Sequence, residues 1–189
     1  MSNFIKTFGC RLNTFETEII KSFIETNNIK NLSVINTCAV TQEAEKKAVR
    51  EIKKIKNKNK DSFLVVTGCA AQLRAKSFEN MDEVDLVLGN QEKLLSRNWS
   101  KINSLLKKNK KNFKSSLVSN IMEENTLPSN KLIPSKSNTR AFLGIQNGCD
   151  HRCTFCIIPY ARGNSRSISK SEIKKQIETL VINGVKEVV

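Results

Sequence analysis

The residues of this 189-residue chain best suited to chemistry are its cysteines. Three of them, Cys149, Cys153 and Cys156, sit together in "NGCDHRCTFCIIPYARG", residues 147–163, with the spacing C-x₃-C-x₂-C. The other three, Cys10, Cys38 and Cys69, stand alone. In a cytosolic chain such a set points to metal or redox chemistry; in a secreted one it would point to disulfides. Zinc wants a fourth protein ligand in a closed site. His151, the one histidine, could be offered, but it lies between closely spaced cysteines, whereas mixed cysteine–histidine zinc sites draw on separated pairs. A disulfide would leave an odd thiol. A [4Fe–4S] cluster normally takes four thiolates, so three would leave one iron with an open position, where a substrate or cofactor can bind.

The isolated cysteines recur at one point of a repeat. "NFIKTFGC", "LSVINTC" and "SFLVVTGC" are short apolar runs that read as strands, each ending on a cysteine. They follow one another at intervals of about 30 residues, the length of one βα step. Helical patterns fill the gaps. In "NTFETEIIKSFIETN", Asn13 is expected to cap, Glu16 takes the capping-box position, and Phe15, Ile19, Ile20, Phe23 and Ile24 share a face. In "TQEAEKKAVREIKKIK", Thr41 is the expected cap, and Ala44, Ala48, Val49, Ile52 and Ile55 form the stripe. "AAQLRAKSF" predicts a shorter helix, "VDLVLG" a fourth strand and "NQEKLLSRNWSKINSLLKK" a further helix. Strands alternating with helices predict a parallel sheet, whose carboxyl edge is where ligands bind. Cys10, Cys38 and Cys69 should therefore converge there. Gly9 and Gly68 precede two of them and suit backbone turns at those corners. Buried thiols acting as small apolar residues would account for burial but not for the shared position in the repeat.

The pattern divides the chain into a repeat domain over 1–106, a connection over 107–138 and a second unit over 139–189. The connection is rich in Lys, Asn and Ser, with "SLVSNI" a short strand within it. The second unit opens with a strand in "RAFLGIQNGC" that again ends on a Gly-Cys pair. "SISKSEIKKQIETLVING" follows as a helix with Ser169 as cap, Glu172 at the capping-box position and Ile173, Ile177, Leu180 and Val181 on one face. "VKEVV" begins another strand. One βα unit and the start of the next cannot bury a barrel or a sheet, so this second domain is expected to be incomplete.

Composition adds less. Apolar residues make up 39%, enough for a packed core. The net charge of +14, from 32 basic and 18 acidic residues, suits a polyanionic partner such as RNA. Lys and Asn abound throughout, however, and a compositional bias accounts for the charge equally well. No apolar run reaches the ~18 residues of a membrane span, and the N-terminus lacks a signal-peptide pattern, so a cytoplasmic protein without a membrane partner is expected.

The C-x₃-C-x₂-C spacing, with Phe155 before its last cysteine, resembles the cluster loop of radical S-adenosylmethionine enzymes. Taken with "TFGCRLN", "INTCAVT", "VVTGCAAQ" and "GCDHRCTFCIIPYARGNSRS", the chain resembles the methylthiotransferase family over nearly its whole length, least so in the connection. The resemblance implies an α/β fold: a parallel-sheet βα-repeat N-terminal domain, then the first strand–helix unit of a truncated radical-SAM partial (β/α) barrel. It implies two [4Fe–4S] clusters, an auxiliary one on Cys10, Cys38 and Cys69 and a radical-SAM one on Cys149, Cys153 and Cys156. S-adenosyl-L-methionine would bind the open iron of the second and be cleaved to methionine and a 5′-deoxyadenosyl radical. The auxiliary cluster would carry the sulfur, and a second S-adenosylmethionine would supply the methyl group. Phe155, Tyr160 and Arg162 would lie near the cofactor.

The motifs look most like the branch that modifies C2 of N6-threonylcarbamoyladenosine at position 37 of tRNA. Sibling branches act on isopentenyladenosine in tRNA or on a ribosomal-protein aspartate, and a different class would be a non-catalytic iron–sulfur or zinc RNA-binding module. The implied partners are a tRNA anticodon loop, an electron-donor protein and a sulfur donor, with the enzyme a monomer. Arg162 and Arg166 could shape the cofactor site, meet RNA phosphate or simply pack. Asn13, Asn36 and Thr37 could hydrogen-bond around the auxiliary cluster. The family's later radical-domain strands and its C-terminal RNA-binding domain have no counterpart here, so the 189 residues are not expected to be catalytically competent alone.

Overall fold

The computed structural model describes residues 3–108, 113–128 and 139–189. Five strands, β1 (Phe4–Thr7), β2 (Leu32–Thr37), β3 (Phe63–Gly68), β4 (Leu86–Leu88) and β5 (Ser115–Leu117), form one sheet in sequence order. Every neighbouring pair is parallel, with Thr7 beside Asn36 and Thr37 beside Gly68. The sheet is covered on both faces, which is why the apolar residues of β3 run on without alternation. Every residue of β2 and β3 is buried. On one face Val34, Val65, Leu86 and Leu88 pack with Ile20 and Ile24 of α1 (Arg11–Thr26) and Trp99 and Ile102 of α5 (Ser96–Lys107). On the other, Ile35, Leu64, Val66 and Val87 meet Ala48, Ile52 and Ile55 of α2 (Gln42–Lys58), with Ala70, Ala71 and Phe78 from α3 (Cys69–Leu73) and α4 (Ala75–Glu79).

Thr41 caps α2 as expected, its hydroxyl accepting from the Ala44 amide at 3.2 Å. Asn13 does not cap α1. The helix starts directly after Cys10, which takes the N-cap position without a side-chain bond, and so Asn13 falls inside the first turn. Gly9, at φ +99°, has already turned the chain, leaving no extended residue for Asn13 to occupy. The segment "AAQLRAKSF" breaks at Arg74 into two short helices, and the helix predicted over "NQEKLLSRNW" begins only at Ser96, after a 3₁₀ turn at Glu92–Leu94. Strand β5 falls within the segment expected to be a connection and completes the sheet edge.

In the second unit the single strand expected in "RAFLGIQNGC" is two. β6 (Arg140–Ala141) pairs in parallel with β9 (Glu187–Val188), while β7 (Gln146–Asn147) pairs antiparallel with β8 (Arg166–Ser167). Between them the chain presses on α1: a Cβ at Gly144 would lie 2.6 Å from the Phe15 ring. The helices are α6 (Ile158–Arg162) and α7 (Lys170–Ile182), the latter capped by Ser169, whose hydroxyl accepts from the Glu172 amide. The apolar face expected on α7 is largely uncovered: Leu180 is buried, but Ile177 and Val181 are exposed. β6, α7 and β9 make one parallel βαβ step. Phe15, Ile19 and Leu94 of the first unit share a core with Leu180 and Val185 of the second. Among the described residues no helix is long and apolar enough to cross a membrane.

Candidate functional site

Cys10 follows β1, Cys38 follows β2 and Cys69 opens α3 directly after β3. These three strands are adjacent and parallel, so the cysteines share the sheet's carboxyl edge. All are free thiols; Cys38 and Cys69 are buried and Cys10 is exposed. Two glycines let the corners close. A Cβ at Gly9 would stand 2.7 Å from Cys38 Sγ, and one at Gly68, φ +97°, would stand 2.3 Å from the Thr37 carbonyl oxygen. N–H groups face the sulfurs: the Val40 amide lies 3.5 Å from Cys38 Sγ, and Asn90 Nδ2 lies 3.9 Å from Cys69 Sγ.

Behind this edge is a buried polar layer centred on Glu16. Its Oε2 accepts from Lys93 Nζ at 2.6 Å, and its Oε1 accepts from Arg162 Nη1 at 2.7 Å. Arg162 also donates to Asn13 Oδ1 at 2.5 Å and to Asn147 Oδ1 at 3.1 Å. Lys93 Nζ reaches three acceptors, Glu16 Oε2, Asn90 Oδ1 at 2.7 Å and Asn36 Oδ1 at 3.4 Å, which uses all three hydrogens of an ammonium group. Each cysteine corner is tied in. Asn13 Nδ2 donates to the Phe8 and Thr37 carbonyls, flanking Cys10 and Cys38, while Asn90 bridges Lys93 and Cys69. Thr37 Oγ1 donates to the Thr67 carbonyl and accepts from the Ala71 amide.

Burial works against the Glu16 charge, but Arg162 and Lys93 outweigh it and hold its pKa down at about 2. For Arg162, burial is again opposed by Glu16, then by Cys69 and Cys10, and its pKa rises above arginine's ordinary value. Burial draws Lys93 below its ordinary value, against the pull of Glu16 and Cys69. Lys93 and Arg162 thus meet one carboxylate on the buried side of the thiols.

The second cysteine set is local. Cys149, Cys153 and Cys156 lie in the loop between β7 and α6, Cys153 exposed and the others half-buried. The Cys156 amide donates to the Cys153 carbonyl at 3.0 Å, and the Cys149 amide to the Gly163 carbonyl at 3.1 Å. Arg152 donates to the Cys149 carbonyl at 2.8 Å and to Asn164. His151 is exposed, Phe155 stands 90% exposed within the loop, and Tyr160 is 55% exposed on α6. Arg162, at the end of α6, turns its guanidinium away from solvent into the Glu16 layer. Arg166 donates to the Arg162 carbonyl and to Gln91 Oε1. Both arginines are buried, so neither presents its guanidinium to an RNA phosphate.

Sequence reasoning missed Glu16, Lys93, Asn90 and Asn147. A signal was present for Glu16: it sits three and four residues before Ile19 and Ile20, on the apolar face of α1, where a carboxylate needs a buried partner.

Among the described residues, no three His, Cys, Asp or Glu side chains form a ready cage for one metal ion. The donor set suits an iron–sulfur cluster instead: soft thiols, N–H groups aimed at sulfur, and positive charge behind. The exposed loop of three thiols offers the same donors. A parallel α/β domain with three thiols at its carboxyl edge is thus joined to a C-x₃-C-x₂-C loop and a βαβ step, and each thiol set offers the donors that an iron–sulfur cluster takes.

The family model described as uncharacterized protein family UPF0004 matches residues 2–89, and that of the radical SAM superfamily matches residues 143–189. The threonylcarbamoyladenosine tRNA methylthiotransferase MtaB of Rickettsia prowazekii (strain Madrid E) is 45% identical over 98% of this chain and 42% of its own length. The protein of the same name from Aquifex aeolicus (strain VF5) is 34% identical over 97% of this chain and 46% of its own. The tRNA-2-methylthio-N(6)-dimethylallyladenosine synthase of Buchnera aphidicola subsp. Baizongia pistaciae (strain Bp) is 31% identical over 98% and 43%. The chain spans less than half the length of these curated relatives. Along nearly its whole length the chain is similar to these tRNA-modifying relatives, and its two matched segments are those of the two family models.

Proposed function

We propose that this chain carries the two cysteine sites of an enzyme that methylthiolates C2 of N6-threonylcarbamoyladenosine at position 37 of tRNA. The observation that carries the reading is the pairing of a three-thiol sheet edge with a three-thiol loop, joined through the side chain of Arg162. Cys149, Cys153 and Cys156 hold one [4Fe–4S] cluster; Cys10, Cys38 and Cys69 hold the other. Bound clusters and S-adenosylmethionine supply radical chemistry and a methylated sulfur at an aromatic C–H that acid–base side chains cannot attack.

The chain's own residues hold and orient. Phe155 in the loop and Tyr160 on α6 are exposed enough to contact S-adenosylmethionine, while Arg162 fixes the end of α6 beside it. Asn90 and the Val40 amide steady the sulfurs of the other set. The target base must be unstacked, as anticodon-loop bases can be, and a net charge of +14 favours approach to the RNA backbone. The enzyme acts as a monomer in the cytoplasm, with an electron-donor protein and a sulfur donor as further partners. The identity to the Rickettsia prowazekii relative, which exceeds that to the Buchnera relative, supports this branch.

Two measurements test this. Anaerobic reconstitution should give about eight irons, falling to about four when Cys10, Cys38 and Cys69 are replaced, with Mössbauer spectra of [4Fe–4S] clusters. Zinc in place of iron, or an iron count unmoved by the replacements, refutes it. Mass spectrometry of tRNA nucleosides from a strain deleted for the gene should show loss of the 2-methylthio form of N6-threonylcarbamoyladenosine. Loss of the isopentenyl counterpart instead would assign the sibling branch.

A further inference from the structure

Arg162 belongs by sequence to the radical-SAM segment, yet its guanidinium is buried in the N-terminal domain. It meets Glu16 in α1 with both terminal nitrogens, Nη1 at 2.7 Å from Oε1 and Nη2 at 3.1 Å from Oε2, and reaches Asn13. A planar fork on a carboxylate fixes orientation as well as distance. Asn90 repeats the link, its Nδ2 donating to the Ala161 carbonyl at 2.7 Å while also facing Cys69 Sγ. Glu16 is 0% exposed and Arg162 2% exposed, so their interaction is little screened by water. The charged groups converging here are Glu16, Lys93 and Arg162, with Arg166 adjoining through the Arg162 carbonyl.

We propose that Arg162 is a positioning residue for the N-terminal cysteine edge: carried by the second domain, it locks onto Glu16 and completes the positive charge that a cluster on Cys10, Cys38 and Cys69 needs on its buried side. The oxidised cube with three thiolates is an anion, and net charge and hydrogen bonding around a cluster set its potential. The N-terminal site is therefore electrostatically complete only when the radical-SAM segment is docked. This rests on the reading of those cysteines as cluster ligands.

The test uses the full chain with Cys149, Cys153 and Cys156 replaced by alanine, reconstituted so that only the N-terminal set holds iron, and reads the midpoint potential by redox titration with electron paramagnetic resonance. Arg162→Gln removes a cation and should shift the potential negative. Glu16→Gln removes the anion and should shift it positive. The double variant restores the parent's net charge and should return near the parent value, as should Arg162→Lys. Merely loosening the fold would move the two single variants alike. Shifts in one direction, or none, with iron retained, overturn the inference while leaving the cysteine assignment intact. Absence of iron from the parent would instead refute that assignment, and this inference with it. If Glu16→Gln alone does not fold by circular dichroism, Arg162→Gln must still lie below both Arg162→Lys and the double variant, or the inference fails.

Discussion

The two cysteine sets are built in opposite ways. Cys149, Cys153 and Cys156 occupy one loop, and their nearness is a property of the sequence. Cys10, Cys38 and Cys69 come from three strand ends, and their nearness is a property of the fold. The first set is exposed or half-buried; the second has two of three thiols buried, above an ionic layer that spans both parts of the chain. A loop can be changed locally. A sheet edge inherits every perturbation of the packing beneath it.

The comparison breaks first at Glu16. Glu16→Ala leaves two buried cations unpaired and should cost about 3–5 kcal/mol by denaturant unfolding. In the loop, Arg152→Ala removes exposed contacts and should cost less than about 1 kcal/mol. Equal losses would show the two sites to be equally dependent on the core. Acid should expose the same asymmetry. Glu16 falls from an ordinary 4.5 to about 2 in the folded protein, so the unfolded chain binds the proton more readily. Stability is present above about 4.5 and is lost as pH falls toward about 2, by roughly 3 kcal/mol. Glu16→Gln should flatten that part of the pH profile.

Glycines give a finer contrast. Gly68→Ala meets the Thr37 backbone as well as the positive-φ penalty, and about 2–3 kcal/mol of destabilisation is expected in thermal melts. Gly184 has φ +84° but open space, so Gly184→Ala should cost only about 1 kcal/mol. Smallest of all, Ile182→Lys on α7, at a position 84% exposed, should stay within about 0.5 kcal/mol.

What could be read in advance follows the same division. The strands ending on Cys10, Cys38 and Cys69 were legible because parallel buried strands are apolar runs spaced by crossover helices. The loop was legible because its spacing is its geometry. Asn13 was misread as a cap, since local pattern assigns an asparagine near a helix start to the nearest amide. Only tertiary structure shows it bonding to Thr37 and Arg162. Lys93 looked like one more lysine of a basic chain, and nothing local marks a partner 77 residues away. The split of "RAFLGIQNGC" was hidden because Gly144 answers to the Phe15 ring, not to its own neighbours.

The strand order also sets a sequence in time. Parallel pairing closes long loops before any contact rewards it and is slow for that reason. The edge bearing Cys10, Cys38 and Cys69 emerges first in synthesis yet exists only after β1, β2 and β3 have paired, and it is finished only when Arg162, made much later, arrives. The loop around Cys153 needs no such wait. On the proposed reading, iron offered to a folding chain would find the later-made site ready before the earlier one, and metal held at the sheet edge would certify that β1, β2 and β3 have paired and that Arg162 has docked.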